Sequence, residues 1–237
     1  MEKQPLIWIT GAGRGIGEAA AHAFAAAGAH VIASGRNADA VRNVADAIGK
    51  AGGRADAVPL DVKNEQSVRA AHELIVSNFG RVDVLVNNAG VTVFKKFEQT
   101  TLEEFDAIVQ TNLRGYFLLT QAVLPSMLEA QAGMIISIHS VTAVETFTHS
   151  SVYAASKAGT LAMMRSLREE VRKRGVRVID VLPGAVETGM WSEANRQKHG
   201  AKMMQPEDVA EILVSLYRQP GRAATDEIIV KPVGGNL

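Results

Sequence analysis

Residues Tyr153-Ala154-Ala155-Ser156-Lys157 set a phenol and an ammonium four positions apart. On a helix, that spacing puts both side chains on one face, a turn from each other. A free tyrosine titrates near ~10, too high for easy proton exchange at neutral pH. A fixed positive charge beside it favours the phenolate and lowers that value. The pair is therefore suited to giving a proton to a carbonyl oxygen or taking one from an alcohol. Taken alone, Tyr and Lys at this spacing are more often surface packing. Two further features bear on the choice: Ser140, thirteen residues upstream, and a glycine-rich stretch near the N-terminus.

The elements that must carry these groups alternate. Apolar runs of strand length fall at Leu6–Thr10, 30–34, 55–60, 82–86, 134–137, 176–181 and Glu227–Val230. Between them lie helical patterns at 15–27, Ala38–Lys50, Glu65–Phe79, 102–129, 152–174 and Pro206–Tyr217, with Pro125 placed to bend or end the long one. Pro206 is well suited to open the last helix. Strand–helix alternation with continuously apolar strands predicts an α/β fold, a doubly wound parallel sheet covered on both faces. Ligands on such sheets sit at the carboxyl ends of the strands, near the switch in strand order. The residues singled out here follow strands or open the helices after them.

Thr10-Gly11-Ala12-Gly13-Arg14-Gly15-Ile16-Gly17 joins the first strand to the first helix. Such a turn offers backbone N–H groups and a helix N-terminus to an anion, which suits a pyrophosphate. The glycine spacing at 11, 15 and 17 is neither G-x-G-x-x-G, because Ile16 occupies the third position, nor a phosphate loop ending in Gly-Lys-Ser/Thr. A tight turn without a ligand is the alternative, but this one opens a βαβ unit. The second strand ends Ser34-Gly35-Arg36-Asn37, without the acidic residue that usually accepts from an NAD ribose. Arg36 and Arg14 instead suit a 2′-phosphate, so NADP(H) is expected. Asp61 can accept from an adenine amino group or act as a helix N-cap. Asn87-Asn88-Ala89-Gly90 can bring backbone to the adenosine ribose or form a polar turn.

Composition narrows the rest. The 237 residues suffice for one α/β domain spanning 1–237, with no linker or charge run dividing it. Twenty-five basic and 25 acidic residues balance, which gives no electrostatic reason to expect nucleic acid or an anionic membrane as partner. No cysteine is present, so disulfides and thiolate metal sites are excluded. The six histidines show no metal-ligand spacing, and no catalytic metal is expected. The short apolar run at the N-terminus fits neither a membrane span nor a secretory signal, so a soluble cytoplasmic protein is the expectation.

At this point the chain resembles the short-chain dehydrogenase/reductase family. The matching residues are Thr10-Gly11-x-x-x-Gly15-x-Gly17, Asn87-Asn88-Ala89-Gly90, Asn112, Ser140, Tyr153-x-x-x-Lys157 and Pro183-Gly184-x-x-x-Thr188, in family order over most of the chain. The resemblance implies one Rossmann-like domain with a seven-stranded parallel sheet, usually a homotetramer or dimer. It implies hydride transfer between NADP(H) and a carbonyl or secondary alcohol. Tyr153 would be the general acid in reduction. Lys157 would bind the nicotinamide ribose and lower the Tyr153 pKa. Ser140 would orient the substrate oxygen, and Asn112 would hold a water beside Lys157. Pro183 and Gly184 would pass beside the nicotinamide, with Val186 and Thr188 on its carboxamide. Gly13, Ile16 and Val62 complete the expected cofactor contacts.

Substrate contacts are expected from Phe94 and Phe97, from residues 144–149, and from Met190 and Trp191 in a short lid at about 185–205. Glu145 and His149 can touch a polar substrate or face solvent. Lys95-Lys96 can attract an anion or simply be a solvated loop. Strand alternation turns His139 away from Ser140, which makes it a structural histidine. The expected activity is that of a ketone or aldehyde reductase, reversible as an alcohol dehydrogenase. The alternatives are a β-ketoacyl thioester reductase and, less favoured, a non-catalytic NADP-binding regulator.

Overall fold

Leu6, Ile7, Trp8 and Ile9 carry large apolar side chains on alternate sides of one strand, and a sheet covered on both faces buries them all. In the computed structural model they form β1 (Leu6–Thr10), buried along its whole length. The structure describes residues 4–235; residues 1–3 and 236–237, the ends of the expected 1–237 unit, lie outside the described residues. Six further strands complete the sheet: β2 (His30–Gly35), β3 (Arg54–Pro59), β4 (Val84–Asn87), β5 (Gly133–Ile138), β6 (Val176–Pro183) and β7 (Glu227–Val230). They pair in parallel in the order β3-β2-β1-β4-β5-β6-β7, so the switch in strand order lies between β1 and β4.

One sheet face packs against α1 (Gly15–Ala26), α2 (Ala38–Lys50) and α8 (Pro206–Tyr217). The other packs against α3 (Glu65–Phe79), α5 (Gly115–Glu129) and α6 (Ser151–Val171). The period of two is visible in β1: Ile7 and Ile9 enter the first layer, Leu6 and Trp8 the second. Trp8 is fully buried, and its indole N–H is satisfied by the Ser34 hydroxyl at 2.9 Å. Asn37 and Asn64 cap α2 and α3 by accepting backbone N–H groups, and Thr101 forms a capping box with Glu104 ahead of α4 (Leu102–Val109). No helix among the described residues is long and apolar enough to cross a membrane.

The seven strands and the doubly wound class match the sequence reading. The helices differ in four places. The single helix expected over 102–129 is two helices, α4 and α5, joined through a π-helical turn at Gln110–Arg114. Pro125 does not end α5, which runs four residues further. Val123 and Met127, both fully buried against the sheet, hold the flanking turns in place despite the missing N–H. The helix expected to reach residue 174 tightens to a 3₁₀ turn at Arg172–Arg174 and stops at Gly175, which has φ 78°. An unpredicted helix, α7 (Glu193–His199), is capped by Ser192 inside the segment 185–205.

A buried charge cluster ties α6 to the strands beneath it. Arg168 donates from Nε to the Val178 carbonyl at 2.9 Å and pairs through Nη2 with Asp180. Asp180, wholly buried, meets His139 Nε2 at 2.6 Å on its other oxygen. Removing the carboxylate takes away the nearest partner of Arg168 and leaves it Glu227 at 3.4 Å and Asp226 at 4.0 Å; breaking a buried ionic cluster in this way costs up to about 3–5 kcal/mol. Asp180→Ala should therefore lower the unfolding free energy by that order in urea denaturation. A loss below about 1 kcal/mol would mean that Glu227 and Asp226, or water, satisfy Arg168 in its place.

Candidate active site

The ends of β1 and β4 diverge at the switch in strand order, and the residues just beyond them are tied together. The Thr10 hydroxyl accepts the N–H groups of Asn88 and Ala89 at 3.1 and 3.2 Å. The Asn88 amide returns a bond to the Thr10 carbonyl at 2.9 Å. Gly17 is required by this closeness. A Cβ there would lie 2.5 Å from Asn88 Nδ2 and collide with the Gly11 carbonyl. Gly11 itself has φ 66°, which favours glycine.

From this clasp a cleft of about 830 Å³ runs along the carboxyl ends of the strands. Of the residues expected to hold a cofactor, Gly11, Gly13, Arg14, Gly15, Ile16, Arg36, Asp61, Val62, Asn88, Ala89, Gly90, Tyr153, Lys157, Pro183, Gly184, Val186 and Thr188 all line it. Gly17 does not; it supports the turn from behind. Arg36 stands exposed at the rim, next to the end of β2. Arg14 leans toward the other wall, its Nη1 3.3 Å from where a Cβ on Gly189 would be. Asp61 is not the cap of α3, a place taken by Asn64. One of its oxygens accepts from the Lys63 N–H at 3.0 Å.

Tyr153 and Lys157 share the inner face of α6, and both are buried. The phenol is hydrogen-bonded to Ser140, which comes directly after the β5 turn-off at His139. Burial pushes the Tyr153 hydroxyl up to about 12, and the Ser140 bond acts against that shift. The net shift is upward, where the sequence reading expected a lowering by Lys157. Its ammonium is directed to the Ile138 carbonyl at 2.7 Å and the Tyr116 hydroxyl at 3.2 Å, and sits 5.9 Å from the centre of the Tyr153 ring. Burial alone takes Lys157 down to about 7.

Asn112 lies behind the cleft wall, presented inward by the π-helical turn, a local form common at functional sites. Its amide exchanges two bonds with the Val91 backbone, each 2.9 Å, and donates to Ser156 Oγ at 3.0 Å. The side chain therefore fixes the strand-end loop to α6. Its main-chain carbonyl accepts from Thr160 at 3.0 Å.

At the outer end, Phe94 stacks on Trp191 with centroids 5.2 Å apart and planes 15° apart, and meets Tyr153 edge-on at 6.5 Å. The Trp191 indole N–H is anchored to the Val186 carbonyl at 3.0 Å. Met190 also lines the cleft, whereas Phe97 is exposed away from it. Glu145 pairs with Lys231, and Lys95 with Glu104; none of these four lines the cleft. The His149 carbonyl accepts from the Lys95 N–H at 2.9 Å, with the histidine held at φ 62°. His139 faces the core and Asp180, as alternation along β5 predicts.

This arrangement can present a proton donor and a second hydroxyl to one oxygen at the mouth of a dinucleotide-sized cleft. The family model for short chain dehydrogenases matches residues 5–199. The chain belongs to the short-chain dehydrogenase family. It is similar to a sepiapterin reductase of Chlorobaculum tepidum, 39% identical over 98% of each chain. Among solved structures, a metagenomic short-chain oxidoreductase in complex with NADP is 32% identical, covers 97% of each chain and superposes with a TM-score of 0.85. An alcohol dehydrogenase from the archaeon Thermococcus sibiricus, complexed with 5-hydroxy-NADP, is 28% identical over 99% of each chain with a TM-score of 0.90.

Sequence reasoning about this family member missed Tyr116 and Ser156, which contact Lys157 and Asn112. Ser156 sits inside the quoted Tyr-x-x-x-Lys span, and Tyr116 lies four residues after Asn112. Helical neighbourhood was the available signal.

The Lys157 shift has a consequence for stability. Its folded value lies below the unfolded one of ~10.4, so the unfolded chain binds more protons between the two. Stability should therefore rise with pH from about 7 toward about 10. Urea unfolding across that range should show this rise in the wild type and a flatter curve in Lys157→Met. Identical slopes would mean that the amine is not desolvated.

Proposed function

We propose that the chain is an NADPH-dependent reductase of ketones or aldehydes, reversible as an alcohol dehydrogenase. The observation that carries this reading is the meeting of Ser140, Tyr153 and Lys157 at one end of a cleft that begins at a glycine-rich helix N-terminus.

The residues suit the dinucleotide. The turn at Gly11–Gly17 leaves backbone room for a pyrophosphate, and Arg36, with no acid at the end of β2, favours a 2′-phosphate. The neighbours solved with NADP and 5-hydroxy-NADP support the same cofactor. When bound, the reduced nicotinamide supplies the hydride. Tyr153 donates its proton to the substrate oxygen, and Ser140 orients that oxygen where negative charge develops. Lys157, which lines the cleft with Gly90, would hold the cofactor's ribose. Asn112 keeps the loop after Gly90 in register with α6 and, on the family resemblance, would help hold a water beside Lys157.

Residues 185–205 form the lid. The segment is closed on itself by the pairing of Val186 with Met204. The flat Phe94–Trp191 stack favours carbonyl compounds that bear a ring, and the relative named sepiapterin reductase makes sepiapterin a compound to include in a substrate panel. Assembly into a dimer or tetramer and a cytoplasmic location belong to the same proposal. Exposed Leu102 and Phe105, a turn apart on α4, support the assembly.

The test is consumption of NADPH with ring-bearing ketones, aliphatic ketones and acyl thioesters. Tyr153→Phe should lose at least about a hundredfold in kcat while still binding NADPH. Near-wild-type turnover in that variant would remove Tyr153 from the chemistry, and turnover confined to thioesters would replace the substrate reading. Exchanging Arg14 and Arg36 for Ala should weaken NADPH binding well beyond NADH binding, roughly tenfold or more in the ratio of Kd values. Equal losses for both cofactors would refute the 2′-phosphate assignment.

A further inference from the structure

Tyr116 is fully buried in the first turn of α5, a place that a phenylalanine would fill equally well. Its hydroxyl nevertheless donates to the Ile138 carbonyl at 2.8 Å and accepts from Lys157 Nζ at 3.2 Å. Lys157 Nζ donates to the same Ile138 carbonyl at 2.7 Å. The three atoms close a triangle. An ammonium has three N–H donors. Two are fixed by the triangle, which leaves one for the cleft that Lys157 lines beside Gly90. Nζ lies 3.7 Å from where a Cβ on Gly90 would stand.

We propose that Tyr116 is a positioning residue that orients the Lys157 ammonium so that its remaining donor faces the cofactor cleft. The inference rests on the functional reading above. Asn112 and Tyr116 divide the work along α6: the first holds Ser156, the second Lys157. The groups facing the ammonium are Tyr153 from α6, Tyr116 from α5, and His139 after β5 with Asp180 of β6 behind it. Burial keeps the Tyr116 phenol well above its ordinary range, so it remains a neutral hydroxyl. Burial also lowers His139, which favours its neutral form. The Tyr116 oxygen is thus one of two acceptors, among the described residues, that hold the charge in place. Without it, the buried ammonium loses an acceptor and deprotonates more readily.

Tyr116→Phe in the full chain keeps the ring and removes only the hydroxyl. With NADPH and an accepted ketone, kcat should fall roughly tenfold or more, the order expected for one bond to a charged group. NADPH binding should weaken, and the alkaline limb of kcat/KM should move to lower pH, with the melting temperature little changed. An NMR titration of Lys157 in the two proteins should show the same acidward movement. A variant that melts earlier but keeps the wild-type kcat, alkaline limb and Lys157 titration would make Tyr116 a packing residue and overturn the inference. Wild-type protein inert with NADPH and every carbonyl tested would strike the functional reading instead, and the Lys157 titration would then decide the fate of Tyr116 alone.

Discussion

Taking an amine and a phenol out of water together is the constraint that organises this molecule. Lys157 and Tyr153 are 3% and 7% exposed, and desolvation drives the first down and the second up. Both shifts favour neutral groups, so burial alone would give a poor cation and a poor acid. The groups around the pair restore polar contact without restoring bulk water. Ser140 reaches the phenol, and Ile138 and Tyr116 reach the amine. These partners come from the end of β5, the short segment after it, and the start of α5. The side-chain geometry is therefore only as good as the packing of those elements.

That packing is delivered by the sheet. Strands running in parallel bring every carboxyl end to one edge, and the switch in strand order opens a gap there. Thr10 and Asn88 clasp the two sides of the gap with side-chain-to-backbone bonds, which fixes its width at the glycine turn. Farther along the sheet the Arg168–Asp180–His139 cluster anchors α6 to β6 and to the residue preceding Ser140. Rigid layers and a short polar clasp together hold the cleft open.

Much of this was legible in the residues. The inner strands announce themselves as short apolar runs because both of their faces are buried, whereas the edge strands β3 and β7 are only partly covered. The glycine turn and the Tyr–Lys pair stand out because each needs particular residue types at fixed spacing. Three things were not legible. The π-helical turn has no marker, since nothing in the spacing of Gln110 to Arg114 separates a widened turn from a regular one. The direction of the Tyr153 shift depends on burial, which spacing does not report. The partners of Glu145 and Lys95 lie far along the chain or on another element, so their pairing with Lys231 and Glu104 comes only from the folded loops.

The widened turn at Gln110–Arg114 carries a further consequence. In a regular α-helix each added residue rotates the rest of the helix by ~100° about its axis. Regularising the turn to α-helical pitch at its present residue count would swing Tyr116, Leu119 and Val123 off their present bearing together, because a π-helical turn takes up one residue more than an α-helical one. Asn112 and Tyr116 now aim at consecutive residues of α6, and the stripe below them meets the sheet. The length of this one turn is therefore a phase setting for half a helix. Surface loops such as the one between α8 and β7 can gain or lose residues without changing any bearing, whereas this turn has a fixed count.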